Sequence, residues 1–174
     1  MLLKIAVALV VLIAAVLVLG ATRPGSFEVQ RSVSIHATPE KIFPLLNDLH
    51  RWADWNQQAR SPSLKIGYSG APSGIGAIAD WEGSGQAGKV HLTVTESSPS
   101  TLVEVSGDWE RPFRTHNLNQ FVLTPSVEGT RVTWKLRGTT VYPMKVMSLF
   151  TGFDRLIGPH LDESLRGLKE LAEH

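Results

Sequence analysis

The stretch from Phe27 to Asn56 constrains the fold more than any other part of this 174-residue chain. Phe27, Val29, Val33 and Ile35 fall on one parity and Glu28, Gln30, Ser32 and Ser34 on the other. Strict alternation marks a strand with one buried face. Arg31 sits on the apolar parity, which leaves two readings. It is a bulge or edge position from which the side chain reaches water, or it is a paired charge facing a cavity. Thr38 then offers a hydroxyl cap, Pro39 suits a first helical position, and Glu40 favours the positive end of a helix. Ile42, Leu45, Leu46 and Leu49 recur at helical spacing. Pro44 falls within the first two turns, where it need not break the helix. Trp52 and Trp55, three apart, share a helical face. Packing is the default role for both, and lining the mouth of a ligand cavity is the alternative.

Ahead of this stretch, Ile5 to Leu19 are apolar without interruption, flanked by Lys4 and by Arg23-Pro24-Gly25. A run of that length reaches the lower limit for a membrane-spanning helix. It is long for a signal-peptide core, and Val18-Leu19-Gly20 is a poor cleavage pattern. An uncleaved anchor over residues 1–21 is the preferred reading, with 22–26 as a linker and 27–174 as the folded domain. Lys4 and the amino terminus outweigh Arg23, which places the domain on the extracytoplasmic side by a margin of one charge. Setting Lys4 aside, the remaining chain carries 16 basic and 16 acidic residues. It has no polybasic run, so nucleic-acid binding loses its electrostatic support. There is no cysteine, which excludes disulfides, thiol catalysis and cysteine-based zinc sites.

Downstream, turns and alternating segments follow one another. Strands are expected at Leu64 to Gly70, Ile75 to Glu82, Lys89 to Glu96, Thr101 to Trp109, Arg114 to Thr124 and Thr130 to Thr139. Turns are expected at Ala71–Gly74, Ser97–Ser100 and Pro125–Gly129. In the last strand Val132, Trp134 and Leu136 point inward. Short connections between successive strands argue for an antiparallel meander. The chain closes on an amphipathic pattern, Val146, Phe150, Phe153, Ile157, Leu161, Leu165, Leu168 and Ala172, with a kink or break expected at Gly158-Pro159. The economical arrangement is α+β: a curved antiparallel sheet of about seven strands wrapped on a long C-terminal helix. One helix does not fill such a sheet, and the remainder becomes a cavity.

This pattern resembles the START-like, helix-grip superfamily known as SRPBCC, and within it the polyketide cyclase/dehydrase and lipid-transport-type bacterial proteins. The resemblance rests on Phe27 to Ile35, Ala37 to Phe43, Asp48 to Trp55, Gly74 to Ala77 leading to Trp81-Glu82-Gly83, Gly129 to Trp134 and Gly167-Leu168-Lys169. It covers nearly all of residues 27–173. It implies the helix-grip fold and a pocket for an apolar or amphipathic molecule. It carries over no catalytic signature, because the superfamily includes lipid carriers, hormone receptors and aromatase/cyclases.

Motifs for other chemistry are weak. Residues 83–88 match G-x-G-x-x-G but lead into a strand, so a hairpin turn is expected and no dinucleotide site. His160 and Glu163 could share a metal, but two ligands without a third do not make a site; no metal or cofactor is expected. Glu104 and Asp108 are expected to face solvent. Candidate cavity residues are Trp52, Trp55, Trp81, Trp109, Phe121, Trp134, Phe150 and Phe153, with Arg31 and His116 as possible polar groups. The expected function is a membrane-anchored domain binding a hydrophobic small molecule or lipid. A cyclase or dehydratase-type enzyme and a ligand-free envelope module are the alternatives.

Overall fold

The computed structural model describes residues 1–83 and 88–174. The G-x-G-x-x-G match, whose central residues are 84–87, lies outside the described residues. The chain runs α1 (Leu2–Ala21), β1 (Ser26–Ile35), α2 (Pro39–Asn47), a 3₁₀ turn (Leu49–Arg51) and α3 (Trp52–Trp55). Six strands follow: β2 (Leu64–Gly70), β3 (Ala77–Gly83), β4 (Lys89–Ser98), β5 (Leu102–Arg111), β6 (Thr115–Ser126) and β7 (Gly129–Thr139). Two helices close it, α4 (Tyr142–Phe150) and α5 (Phe153–Glu173).

The seven strands form one antiparallel sheet in the order β1-β7-β6-β5-β4-β3-β2. β2 to β7 are the expected meander. β1 closes the far side by pairing with β7, from Ser26 against Thr139 to Ile35 against Thr130. The sheet stays open, with β1 and β2 as its two edges. Register shifts at Lys89/Val90 and at Val94/Glu96 interrupt the β4–β5 ladder, and such irregularities bend a strand and increase its twist.

One face of the sheet carries the core. Val29, Ile35, Val90, Leu92, Val94, Val103, Val105, Phe121, Val132 and Trp134 are buried there, together with Leu161, Leu165 and Leu168 of α5. α5 lies along β1, while α2 packs on β5 and β6 and α3 packs on α5. Gly167 makes that last approach possible, because a Cβ there would stand 2.7 Å from the Trp55 carbonyl oxygen.

Three local expectations differ from the structure. Thr38 holds the cap position of α2 in an extended conformation, but its hydroxyl makes no cap hydrogen bond; its carbonyl accepts from the Lys41 and Ile42 amides instead. β4 and β6 run through Ser98 and Ser126, past Ser97 and Pro125 where turns were expected. The C-terminal break falls at Thr151 and Gly152 and not at Gly158-Pro159. Thr151 and Gly152 are both extended, with ψ of 116° and 152°, and they separate α4 from α5. α5 continues through Pro159. The hydrogen bond that proline forfeits lies on an exposed side of the helix, where water can serve the freed carbonyl.

Arg31 is resolved by this topology. It sits on the edge strand β1, and its guanidinium spans two carboxylates of α5. Nη1 and Nη2 donate to Asp154 Oδ1 and Oδ2 at 2.8 and 3.0 Å, and Nε donates to Asp162 Oδ2 at 3.1 Å. Asp154, Gly158 and Asp162 are spaced by four and share one face of α5. Each reading holds in part: Arg31 is at an edge position, as the first had it, and its charge is paired, as the second had it, but the partners stand outside the cavity.

Candidate functional site

A cavity of about 650 Å³ lies between the sheet and the helices. Its sheet wall comes from β4 to β7 through Val90, Leu92, Trp109, Asn119, Trp134 and Leu136. These positions alternate with outward residues, so strand periodicity alone delivers them to one face. The helical wall is Ile157, His160, Leu161 and Ser164 of α5, stepping by three and four. Trp52 and Trp81 contribute the deep end.

That deep end rests on a connected aromatic cluster. Trp52 meets Trp55 at 5.4 Å, Phe121 at 5.7 Å and Trp81 at 6.1 Å between ring centres, the last two edge-on. Phe121 lies 4.8 Å from Trp134 and 5.9 Å from Trp55. Edge-on pairs place the positive ring rim against a negative face and stabilise beyond their buried area. Trp52 and Trp55 are only 2% and 0% exposed. Their Nε1 groups donate to the carbonyls of Leu46 and Leu45, both at 2.9 Å. These bonds fasten the α3 turn to the C-terminal end of α2, whose last carbonyls lack helical partners.

Ten candidate residues were drawn from the sequence, and the structure gathers six of them at the cavity: Trp52, Trp81, Trp109, Trp134, Phe153 and His116. Trp55 and Phe121 lie behind its wall as core, so neither tryptophan of α3 is a rim residue. Phe150 is 73% exposed on α4 and touches no part of the cavity. Arg31 is held outside by Asp154 and Asp162. His116 borders the cavity, but its strand parity is opposite to that of Asn117 and Asn119. Its Nδ1 bonds Asp108 Oδ1 at 2.8 Å on the outer face, which also keeps Asp108 at solvent as expected.

The polar groups at the cavity wall are mostly satisfied by the protein. Trp134 Nε1 donates to Asn119 Oδ1 at 3.1 Å. Ser164 Oγ accepts from the Gln57 amide at 3.0 Å. His160 Nδ1 bonds Gln57 Oε1 at 2.7 Å. Trp81 Nε1 alone among the described buried side-chain atoms has no partner. His160 escaped sequence reasoning as a cavity residue; its spacing from Ile157, Leu161 and Ser164 was the available signal. Asn119 was hidden as a polar residue on an inward parity. No group of three metal-ligating side chains occurs among the described residues.

The margins of the cavity differ in character. Gln57, Gln58, Ser61 and His160 form a polar margin where the segment after α3 meets α5. Phe113, Met144, Met147 and Leu156 form an apolar margin, bordered by Thr115, His116 and Thr139, at the end of the sheet where β5 turns into β6 and β7 gives way to α4. Phe27 stacks on Phe153 at 4.7 Å beside that margin.

Comparisons with known proteins agree with this architecture. The family model described as polyketide cyclase/dehydrase and lipid transport matches residues 26–173. No curated protein matches the chain. Among solved structures, protein CV1439 from Chromobacterium violaceum is 14% identical with a TM-score of 0.60, covering 87% of this chain and 99% of that one. Ara h 8.0201 is 11% identical with a TM-score of 0.58, covering 85% of this chain and 98% of that one. The di-domain ARO/CYC StfQ of the steffimycin biosynthetic pathway is 14% identical at 0.65, with 85% of this chain matching 51% of that one. At these identities the likenesses show the fold, the helix-grip arrangement of sheet and C-terminal helix. The match over residues 26–173 identifies the chain as a member of the polyketide cyclase/dehydrase and lipid transport family.

Proposed function

We propose that this protein binds a hydrophobic or amphipathic small molecule, of which a lipid is the leading class, in the cavity between the sheet and α5. Residues 1–21 serve as the membrane anchor, 22–26 as the linker and 27–174 as the binding domain. The observation that carries the reading is the cavity itself. Its volume of about 650 Å³ falls in the range that holds drug-sized or single-chain lipid ligands, and aromatic and aliphatic side chains dominate its wall. The polar margin at Gln57, Gln58, Ser61 and His160 suits a ligand with one polar end. The charge balance of Lys4 and the amino terminus against Arg23 supports an extracytoplasmic domain.

The test is mass spectrometry of lipids that co-purify with the full chain, paired with displacement of a fluorescent fatty acid. Leu136→Trp would fill the cavity from its sheet wall. We expect wild type to retain lipid and bind the probe, and the variant to lose both while keeping its melting transition. Equal lipid content and probe affinity in the two proteins would remove the reading.

A cyclase-type activity is the second reading, and His160 is the observation that favours it. Its Nδ1 bonds Gln57 Oε1 at 2.7 Å, which orients the ring at the cavity wall and leaves Nε2 to meet a substrate. Among the described residues no carboxylate lines the cavity. His160→Phe should abolish turnover of a poly-β-ketone analogue if this reading is right, and unchanged turnover would sink it.

A further inference from the structure

α1 is a 20-residue helix with Lys4 as its one charge, about 30 Å long at 1.5 Å per residue. It is the one described helix long and apolar enough to cross a membrane. Its C-terminal end is bound to α4. The Tyr142 hydroxyl donates to the Leu17 carbonyl at 2.7 Å. Gly20 is the close-approach point, since a Cβ there would meet Val146 Cγ2 at 2.7 Å. The link after α1 is tied down as well, with the Thr140 amide and hydroxyl donating to the Gly25 and Pro24 carbonyls at 2.9 Å each. α4 is therefore held level with the last turn of the anchor.

At that level α4 exposes apolar side chains. Met147 is 53% and Phe150 73% exposed, and Tyr142, Leu156 and Phe113 are exposed beside them. Most carboxylates at this end face a fixed cation, Glu28 by Arg137, Glu82 by Arg111, Glu110 by Lys89 and Asp154 by Arg31, while Asp108 is bonded to His116. Arg23, Arg114, Lys145 and Arg155 are left without a carboxylate partner among the described residues. Apolar side chains bordered by free cations match the boundary between acyl chains and anionic headgroups. Met144 and Met147 are also part of the cavity's apolar margin.

We infer that α4 and the β5–β6 turn are seated in the surface of the bilayer that α1 spans, so that the apolar margin of the cavity opens onto lipid and the ligand is exchanged with the membrane. This rests on the anchor and ligand readings above. It assigns a role to Phe150, which the cavity does not use, and explains why the anchor contacts α4 and no part of the sheet's outer face is needed to position it.

The absence of native cysteine makes single-cysteine labelling clean. Full-length protein is reconstituted in phosphatidylcholine/phosphatidylglycerol vesicles, with an environment-sensitive fluorophore at Phe150→Cys, Met147→Cys, Val10→Cys or Val127→Cys. Val127 is fully exposed in the β6–β7 turn at the opposite end of the sheet. Lipids with a nitroxide at acyl carbon 5 should quench the Phe150 and Met147 labels several-fold and leave Val127 unquenched. Nitroxide at carbon 12 should quench Val10. Quenching at Val10 with Phe150 and Met147 as unquenched as Val127 would overturn the inference and leave the anchor standing. An unquenched Val10 removes the anchor and the inference with it. As a second readout, Phe150→Asp should slow uptake of a fluorescent fatty acid from vesicles several-fold and leave its binding from a cyclodextrin carrier unchanged. Equal vesicle rates in the two proteins overturn the inference, and absence of uptake from either source removes the ligand reading on which it depends.

Discussion

Gly158 of α5 lies directly beneath the Arg31 guanidinium, so close that any Cβ at 158 would strike it. The glycine carries the close approach of helix and edge strand, and the flanking Asp154 and Asp162 supply the charge. Helical glycine costs about 1 kcal/mol relative to alanine, and here that cost is offset by access to the clamp.

A double-mutant cycle separates the two contributions. Gly158→Ala alone gains helix propensity but displaces the Arg31 side chain, so its net effect on stability should be near zero. In an Arg31→Ala background the same substitution should stabilise by about 1 kcal/mol. Denaturant midpoints in detergent give both values. Equal effects in the two backgrounds would show that the glycine and the arginine are independent.

The clamp also predicts an acid response. Hydrogen bonding from Arg31 holds the Asp154 carboxyl below its ordinary range. The His36 amide, followed by Lys169, does the same for Glu173. A carboxylate whose folded pKa is depressed contributes stability above its unfolded value, about 4, and loses it as pH falls through the folded value. Melting temperature should therefore be flat from pH 7 to about 5 and drop below 4. Asp154→Asn should lower it at pH 7 and shrink the drop. Asp154 is exposed and Glu173 half-buried, so salt should reduce the effect, chiefly at Asp154, and an unchanged acid slope in Asp154→Asn would discount the clamp as its source.

Gly167 answers differently from Gly158. A methyl there meets the backbone carbonyl of Trp55 at 2.7 Å, and backbone cannot rotate aside as a guanidinium can. Gly167→Ala should destabilise by about 1–3 kcal/mol in spite of better helix propensity. Thermal melts of the two alanine variants side by side check the contrast, and a stabilised Gly167→Ala would contradict the α3–α5 packing.

Asn119 tests the polar seam of the cavity. It accepts from Trp134 Nε1 while its own amide reaches the Val105 carbonyl at 3.4 Å. Asn119→Leu leaves the indole N–H without an acceptor and should cost about 1–3 kcal/mol. Adding Trp134→Phe removes the stranded donor, so the double variant should lose less than the sum of the single changes. Strict additivity in urea unfolding would deny the coupling.

Much of this architecture is legible in residue order. The alternation at Val132, Trp134 and Leu136 places the cavity's sheet wall, and the strand-helix order gives the α+β meander closed by β1. What failed to show has physical reasons. Gly158-Pro159 is the strongest breaker in the C-terminal pattern, but one lost bond on a solvent-facing side does not end a helix of 21 residues. Gly158 serves Arg31, and the break falls at Thr151-Gly152, where sequence offers only a single glycine. The spacing of Trp52 and Trp55 shows that they share a face but not that Leu45 and Leu46 present carbonyls to their indoles. Asn119 and His160 reach the cavity as polar residues on inward positions, and a polar residue identifies its face only once its neighbours are placed.

The pairing of β1 with β7 has a kinetic consequence. Residues 26–35 find their ladder partners at 130–139, roughly 100 positions later, which at about 5–20 residues per second means about 5–20 s of synthesis. Over that interval the first strand, already fastened behind α1, has neither β7 nor α5 to cover its apolar parity. Non-local pairing of this kind makes folding slow and aggregation-exposed, and that exposure lasts here until the final strand and helix have emerged.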